Sequence, residues 1–348
     1  MKMQGSACDL FSHMKLLGLA AIVSLYKEND SIGSFSPVTV WWEGPGTMVL
    51  SSILHDVSVE EAALCVRAYL DDLIRSEQTI RRTVKVGGKD HSPLSPRIAK
   101  EFSNQEWVSY QSVRQDIVDQ AESGVPLFVD LINALGFPAY WSTTLDGAKG
   151  KSKLDLGASL WEMAPRNQGS EFMQNKYLKH IGTCEGLSVD EIAARICGNE
   201  IDAKREERNA SGLHAPAYLD VLLPFVALSG IGLFPTRPIT AGGVGSVSTA
   251  VTTQRISGRK QTHFVLPVIS HGITLERYKG ICRNAAMYRI ANGALRGSRD
   301  AALDAQTGAS ATWLQSHDVS YLAVFRRHVG GSPSCPEYYA REGVIIPV

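Results

Sequence analysis

Apolar residues recur three or four positions apart along much of the chain, which is the spacing of one buried helix face. In residues 8–26 this stripe includes Leu10, Leu17 and Leu25, and it predicts a first helix. The same spacing predicts further helices over residues 58–73, 104–122, 126–135, 188–197 and 216–229, and a basic helix over 274–299.

Local signals mark the ends of several predicted helices. Ser58 stands three residues before Glu61, and Ser188 three before Glu191, which is the spacing of a capping box. Gly136 directly follows the helix predicted over 126–135, at the position where a glycine commonly ends a helix. A proline inside a helix removes a hydrogen bond, so Pro224 predicts a kink in its helix.

Alternating and β-branched runs predict strands. Residues 37–43 and 47–51 form a predicted hairpin around the Gly-Pro-Gly turn at 44–46. Because neighbouring strand residues face opposite sides, at most one of Trp41 and Trp42 is free to stack on a base. Further strands are predicted over residues 137–145, 154–163, 263–269 and 319–328, with loops at 85–96 and a Gly/Pro-rich tail after 328.

These elements predict an α+β fold of mixed helices and antiparallel hairpins, and 348 residues suit about two domains. Polar stretches suggest three units along the chain: an N-terminal α/β unit at 1–84 with the Trp-Trp hairpin, a middle α+β unit at 97–198, and a basic α+β unit at 213–348.

Composition narrows the class of protein. Hydrophobic residues make up 44% and charged residues 20%, which is typical of a folded globular chain. The longest apolar stretches are interrupted by polar residues, so we expect no membrane span. Six cysteines are scattered without a CxxC pair, which favours buried thiols in a reducing cytoplasm.

The neutral net charge hides a strong asymmetry. Residues 1–234 carry 22 Lys and Arg against 29 Asp and Glu, whereas residues 235–348 carry 13 against 6. A basic, glycine-rich final third is typical of a surface that binds a polyanion such as nucleic acid. The alternatives are that the two parts attract each other, or that the basic face meets an acidic protein subunit.

Motifs of known catalytic sites are missing from the sequence. It has no GxxxxGK[ST], GxGxxG, GxSxG or HExxH pattern. His263 and His271 lie near one predicted strand, but a metal site needs three or four ligands. We therefore expect a protein that is not an enzyme and has neither a cofactor nor a metal.

A basic hairpin turn is the first candidate site. Arg255, Arg259 and Lys260 surround Gly258, where a glycine lets the backbone approach a phosphate while the cations supply charge. Each arginine alone is equally compatible with a surface ion pair. Because few acidic residues lie nearby in the sequence, binding of a polyanion is favoured over ion pairs within the chain.

Three other clusters are also candidates for nucleic-acid binding. Arg and Asn or Gln side chains contact base edges and the backbone, and small residues allow close approach. The lysine-rich loop at 147–153 is also compatible with a solvated turn, and segment 166–168 with a strand end that caps a helix. The candidates are Arg296 and Arg299 at the end of the predicted basic helix, Arg166, Asn167 and Gln168 after a predicted strand, and Lys149, Lys151 and Lys153 in the loop.

Three short stretches resemble a known family. Residues 17–22 (LGLAAI) with 38–42 (VTVWW), residues 160–172 (LWEMAPRNQGSEF) and residues 222–238 (LLPFVALSGIGLFPTRP) resemble large-subunit-type proteins of type I CRISPR systems of the I-U/I-G kind. The resemblance covers short segments spread over about 230 residues. The predicted strand and tail at the C-terminus differ from the helical bundle that ends many such subunits.

The resemblance implies a non-catalytic, cytoplasmic subunit of an RNA-guided surveillance complex (Cascade) in antiviral defence. Its implied partners are crRNA, target double-stranded DNA near the protospacer-adjacent motif (PAM), the backbone and crRNA-handle subunits, and a helicase-nuclease recruited in trans. Two alternatives stay open: a hydrolase or transferase with an unrecognised active site, and a purely structural subunit that docks on acidic protein partners.

Overall fold

A computed structural model describes most of the chain. The described residues are 1–28, 37–94, 103–136, 158–163, 172–173, 177–198, 204–205, 212–213, 218–219, 222–238, 246–296, 301–332 and 335–348. Helices and antiparallel strands together confirm the predicted α+β class.

The helices lie mainly in two groups, one before residue 230 and one between residues 275 and 315. The described helices are α1 (Leu10–Glu28), α2 (Val59–Arg75), α3 (Glu77–Ile80), α4 (Asn104–Gly124), α5 (Pro126–Leu135), α6 (Leu178–Cys184), α7 (Val189–Ile196), α8 (Leu222–Ser229), α9 (Leu275–Arg283), α10 (Ala285–Arg296) and α11 (Ala301–Gln315).

The strands are short at the N-terminus and longer near the C-terminus. The described strands are β1 (Lys2–Gln4), β2 (Val38–Trp42), β3 (Thr47–Ser52), β4 (Val84–Val86), β5 (Lys89–His91), β6 (Lys204–Arg205), β7 (Tyr218–Leu219), β8 (Thr236–Pro238), β9 (Ser246–Ser248), β10 (Val251–Ile256), β11 (Arg259–Ile269), β12 (Ile273–Thr274), β13 (Val319–Ser332), β14 (Cys335–Ala340) and β15 (Val344–Pro347).

The N-terminal sheet has the strand order β1-β3-β2-β12 and is antiparallel. The predicted hairpin around the Gly-Pro-Gly turn is confirmed, with Trp42 paired to Met48. Trp42 is buried against His13, with ring centroids 4.7 Å apart, and Trp41 is half-buried, as strand alternation requires. Strand β12 comes from far along the chain, where Ile273 pairs with Val40.

The C-terminal sheet has the order β10-β11-β13, and strand β13 is its longest strand. Beyond β13, two strands share its outer edge: β15 pairs with residues 321–324 and β14 with residues 327–332. Strands β14 and β15 therefore cover this side of β13, and β10 forms the opposite edge of the sheet.

Helix α1 lies at the centre of the core and packs along α8. Leu10, Leu17 and Phe225 are fully buried there. One hydrophobic cluster contains buried residues of all three units proposed from the sequence. The division into those units itself stays a prediction.

Most predicted helix boundaries are confirmed. Ser58 with Glu61 and Ser188 with Glu191 form complete capping boxes. Gly136 follows α5 with a φ of 111°, a backbone angle that glycine adopts readily. These signals are local, because each depends on residues within one turn of the helix end.

The expected loop at 85–96 is wrong in its first part. Strands β4 and β5 form a hairpin around Gly87 and Gly88, both with positive φ. Two glycines suit the two-residue turn of such a hairpin. Val84 and Val86 of this hairpin are buried against Tyr110 of α4, and that packing holds the strands in place.

Two helix predictions are corrected. The helix predicted over 216–229 begins only at Leu222, after strand β7 at Tyr218–Leu219. Pro224 therefore lies in the first turn of α8, where a residue needs no helical hydrogen bond from its backbone nitrogen and the reason for the predicted kink is removed. The basic helix over 274–299 is two helices, α9 and α10. Asn284 separates them in an extended conformation, and its side-chain oxygen accepts a hydrogen bond from the Ala286 nitrogen at 2.8 Å.

Two strand predictions are also corrected. Residues 158–163 form one bridge between Ala158 and Gly136, followed by a turn, because Trp161 folds inward to the core. The rest of the strand predicted over 154–163, and the strand predicted over 137–145, lie outside the described residues. The expected tail contains β14 and β15, which pair with β13 and satisfy its backbone groups. Helix α11 had no counterpart among the predicted elements.

Five cysteines, Cys8, Cys65, Cys184, Cys197 and Cys282, are free thiols, as their scatter predicts. Over the described ranges, no helix is both long enough and apolar enough to cross a bilayer.

Candidate nucleic-acid interface

The hairpin of β10 and β11 ends in the turn formed by Ser257 and Gly258. Their φ angles are 50° and 76°, the positive values that a tight two-residue hairpin turn requires. A β-carbon on Gly258 would meet no atom within 4 Å, so the turn projects into solvent. This confirms the predicted turn beside Gly258.

The three predicted cations lie around this turn and are exposed. Arg255 pairs directly with Lys260 across the hairpin, and Ile256 pairs with Arg259. Because directly opposite residues share a face, Arg255 and Lys260 place two positive charges side by side, and Arg259 points to the other face. Like charges in such positions cost stability, and a bound anion would offset that cost.

A second hairpin, formed by β13 and β14, projects from the same end of the sheet. At this end the last pair between β11 and β13 is His263 with Arg326. Since the two strands are antiparallel, the start of β11 and the residues of β13 after Arg326 both extend beyond that pair. The turn at Gly258 and the ribbon from Arg327 to Ala340 are therefore neighbours.

This region is called the basic end of the sheet. Its cations come from both hairpins and from the residue that follows β14. They are Arg255, Arg259, Lys260, Arg326, Arg327 and Arg341.

Aromatic rings lie among the cations of the second hairpin. The Arg327 guanidinium carbon lies 3.7 Å from the centre of the Tyr338 ring. On the opposite face His328 stacks on Tyr339 at a centroid distance of 5.7 Å, and Arg341 donates a hydrogen bond to the Tyr339 hydroxyl. Aromatic rings between cations are a combination that binds unpaired bases and phosphates together.

The local electrostatic field is positive. Burial, and then the neighbouring Arg326 and His328, lower the pKa of the His263 imidazole. Burial, and then Arg341 and Arg326, likewise lower the pKa of His328. At both histidines, the neighbouring arginines therefore disfavour the protonated, positively charged form of the imidazole.

Five of these six cations lack a carboxylate partner in the part of the chain that the structure describes. Arg255, Arg259, Lys260, Arg326 and Arg341 form no ion pair with any residue that the structure describes. By contrast, Arg277 pairs with Asp318 at 2.9 Å and Lys279 with Glu276 at 2.6 Å. Arg277 and Lys279 thus follow the surface ion-pair alternative, and the five cations without a carboxylate partner do not.

Helix α10 adds Arg296 to this region. Its Nε donates a hydrogen bond to the side-chain oxygen of Gln254 at 2.7 Å. Gln254 shares a face of the hairpin with Ile256 and Arg259, so Arg296 lies on the Arg259 side. This long-range link between helix and hairpin had no signal in the sequence.

A further cavity with two arginines lies along the first half of β10. It has a volume of about 280 Å³, and Arg237 and Arg283 line it with Thr252 and Thr253. Tyr288 also lines the cavity, and its hydroxyl accepts a hydrogen bond from the Ala250 nitrogen.

Several predicted site residues lie outside the described residues. They are Arg299, the segment Arg166, Asn167 and Gln168, and the loop lysines Lys149, Lys151 and Lys153. Their role stays a prediction.

Sequence reasoning missed Tyr339 and Arg341, because the residues after 328 are predicted to form a tail. It also gave no role to His328, which lies at the end of the strand predicted over 319–328. The alternation around Tyr338 and Tyr339 is the signal that would have indicated a strand. The described part of the chain contains no cluster of three or more His, Cys, Asp or Glu side chains suited to hold a metal.

Comparisons of this chain with family models, curated proteins and solved structures gave no match.

Proposed function

We propose that this chain is a non-catalytic nucleic-acid-binding subunit. The observation that carries the proposal is the basic end of the sheet, where two hairpins project from the same end. Five cations there have no acidic partner among the described residues: Arg255, Arg259, Lys260, Arg326 and Arg341. Phosphate contacts by Arg and Lys supply most sequence-independent affinity for nucleic acid.

The two hairpins suggest a division of roles. Arg255, Arg259 and Lys260 at an exposed turn suit phosphates of the backbone, which position a ligand without reading its sequence. Tyr339 and His328 offer stacking surfaces, which suit an unpaired base. A region with both features favours the junction of duplex and single strand over a uniform duplex.

The resemblance of residues 17–22, 38–42, 160–172 and 222–238 to CRISPR large-subunit-type proteins supports a more specific form of the proposal. The chain would then belong to a cytoplasmic type I surveillance complex and contact crRNA or target DNA near the protospacer-adjacent motif. In such complexes base pairing reads the sequence and protein reads the flanking motif.

The direct test is a binding titration of a labelled DNA duplex and a labelled single-stranded RNA. In the triple variant Arg255→Ala, Arg259→Ala, Lys260→Ala, we expect weaker binding and a shallower salt dependence. Each lost phosphate contact lowers the slope of log K against log salt by about 0.9 for duplex DNA, so the slope falls by about 2 to 3.

The matched control removes three cations elsewhere: Lys2→Ala, Arg81→Ala, Arg82→Ala. Each of these pairs with a carboxylate, on Glu43, Glu77 and Asp116 respectively. The control should bind like the unchanged chain. Equal affinity and equal salt slope in the hairpin triple variant would contradict the proposal.

The CRISPR assignment has its own test. The chain, co-expressed with its genomic neighbours, should purify with several other subunits and a short RNA of uniform length. Purification with an acidic protein but no RNA would contradict that assignment and favour the structural subunit.

A further inference from the structure

A small pocket lies between helices α10 and α11, beside the basic end. Its volume is about 150 Å³. Pockets that enclose a whole small molecule usually measure roughly 300–1,000 Å³, so this one suits a single chemical group. It is lined by Arg289, Asn292, Gly293, Arg296, Gln306 and Thr307, and none of these residues carries a negative charge.

Hydrogen bonds behind the pocket occupy the side-chain oxygens of Gln254 and Asn292. The side-chain oxygen of Gln254 accepts a hydrogen bond from Arg296 Nε at 2.7 Å. The side-chain oxygen of Asn292 accepts from the amide of Gln254, and also from the Thr252 hydroxyl at 3.0 Å. Gln254 is only 5% exposed, so this arrangement is fixed in the interior.

The groups that helix α10 leaves free in the pocket are donors. With its oxygen occupied, Asn292 keeps a side-chain amide nitrogen that bonds to no residue the structure describes. Arg296 keeps the terminal nitrogens of its guanidinium, and Arg289 forms no ion pair within the described ranges. Two guanidiniums and an amide NH2 are complementary to a tetrahedral oxyanion. Gln306 and Thr307 on α11 add a side-chain amide and a hydroxyl, which can also donate to such a ligand.

Space in the pocket is consistent with such a ligand. Gly293 lies one turn after Arg289, and a β-carbon there would meet no atom within 4 Å. We infer that the pocket between α10 and α11 binds one phosphate group through Arg289, Asn292 and Arg296. The phosphate is free inorganic phosphate or part of a nucleic acid, and only the second source rests on the function proposed above.

The test is a calorimetric titration of the full chain with inorganic phosphate at constant ionic strength. The unchanged protein should bind phosphate, and Arg289→Gln should weaken binding about tenfold, the loss of a charge-assisted hydrogen bond. Arg81→Gln, an exposed arginine paired with Glu77, is the control and should bind phosphate normally. Arg289 is exposed, so this variant keeps the fold.

Oligonucleotides with and without a 5′-phosphate distinguish the sources. Tighter binding of the phosphorylated form, lost in Arg289→Gln, identifies a terminal phosphate. Equal binding of both forms, weakened equally by that variant, identifies a backbone phosphate. If the protein binds phosphate but no oligonucleotide, the inferred phosphate site stands and the proposed function is refuted. Absent phosphate binding, or identical affinity in Arg289→Gln, overturns the inference even where nucleic acid binds.

Discussion

The backbones of Gly18 and Gly230 touch where helix α1 crosses the end of helix α8. A β-carbon on Gly18 would lie 1.9 Å from the carbonyl oxygen of Val226 and 3.0 Å from the nitrogen of Gly230. A β-carbon on Gly230 would lie 2.7 Å from the carbonyl oxygen of Met14. These neighbours are backbone atoms, so a side chain cannot be accommodated without moving a helix.

Replacing Gly18 by alanine should therefore destabilise the fold. Overpacking a tight core costs about 1–3 kcal/mol or more, and we expect the upper part of that range for Gly18→Ala. Urea denaturation measures the change. Gly280→Ala in helix α9 is the control, because its β-carbon has open space and alanine favours a helix by about 0.5–1 kcal/mol. Equal stability of both variants would show that the crossing is loose.

Trp161 joins the short segment 158–163 to the C-terminal sheet. Its ring lies 4.4 Å from that of Phe264 and 4.7 Å from that of Phe234, and its indole nitrogen donates to the Thr249 carbonyl at 2.8 Å. Trp161→Phe leaves that carbonyl without its donor and opens a void. We expect a loss of about 2–3 kcal/mol in the free energy of unfolding.

The control for this change is Trp313→Phe. Trp313 is half-buried and stacks on His317, so its replacement should cost less than about 1 kcal/mol. A similar small loss for Trp161→Phe would mean that segment 158–163 contributes little to the core.

His13 makes the stability of the fold depend on pH. Burial lowers the pKa of its imidazole to about 4, although a hydrogen bond of 2.9 Å between Nε2 and the Ala7 carbonyl acts in the opposite direction. The unfolded chain takes up the proton near pH 6.5, so it binds more protons than the folded chain below that pH. The stabilisation is thus complete above pH 6.5 and lost as pH falls toward 4.

The size of this effect follows from the pKa difference. Between pH 7 and pH 4 the unchanged protein should lose about 3 kcal/mol through His13. The His13→Gln side chain keeps a donor for the Ala7 carbonyl but does not titrate. Between pH 7 and pH 4, the free energy of unfolding of this variant should therefore fall by about 3 kcal/mol less than that of the unchanged protein. Denaturation curves at several pH values measure both slopes. If stability depends on pH equally in the two proteins, the pKa of His13 is not lowered in the folded chain.

The sequence indicated the elements whose signals are local. The stripe of Leu10, Leu17 and Leu25 predicts α1, and Ser58 with Glu61 predicts the start of α2, because these residues lie within a few turns of one another. The pairing of Ile273 with Val40 depends on residues more than 200 positions apart, so no local pattern predicts it. Asn284 shows a missed local signal, since its side chain caps α10.

The candidate site divides in the same way. The cations around Gly258 were predicted because a two-residue turn is recognisable from its own sequence. The second hairpin was missed, because it forms only when β13 pairs with β14. The bond between Arg296 and Gln254 joins residues 42 positions apart and depends on how α10 packs on the sheet.

His328 provides a test of the interface that does not remove an arginine. Burial and the charges of Arg341 and Arg326 hold its pKa below 6.5, so His328 is mostly neutral in the free protein near neutral pH. A bound phosphate would cancel the arginine charges and raise that pKa, because an anion favours the protonated imidazole. By linkage, affinity for nucleic acid should then increase as pH falls from 7.5 to about 5.5.

We expect this increase to be several-fold, since each pKa unit gained on binding is worth up to tenfold in affinity. His328→Gln should bind nearly as well at pH 7.5 but show a flatter pH dependence. His271→Gln is the control, because His271 is exposed beside Asp318, at the end of β11 away from the basic end. A pH dependence that is the same in all three proteins would mean that the ligand does not reach the Tyr339 face of the second hairpin.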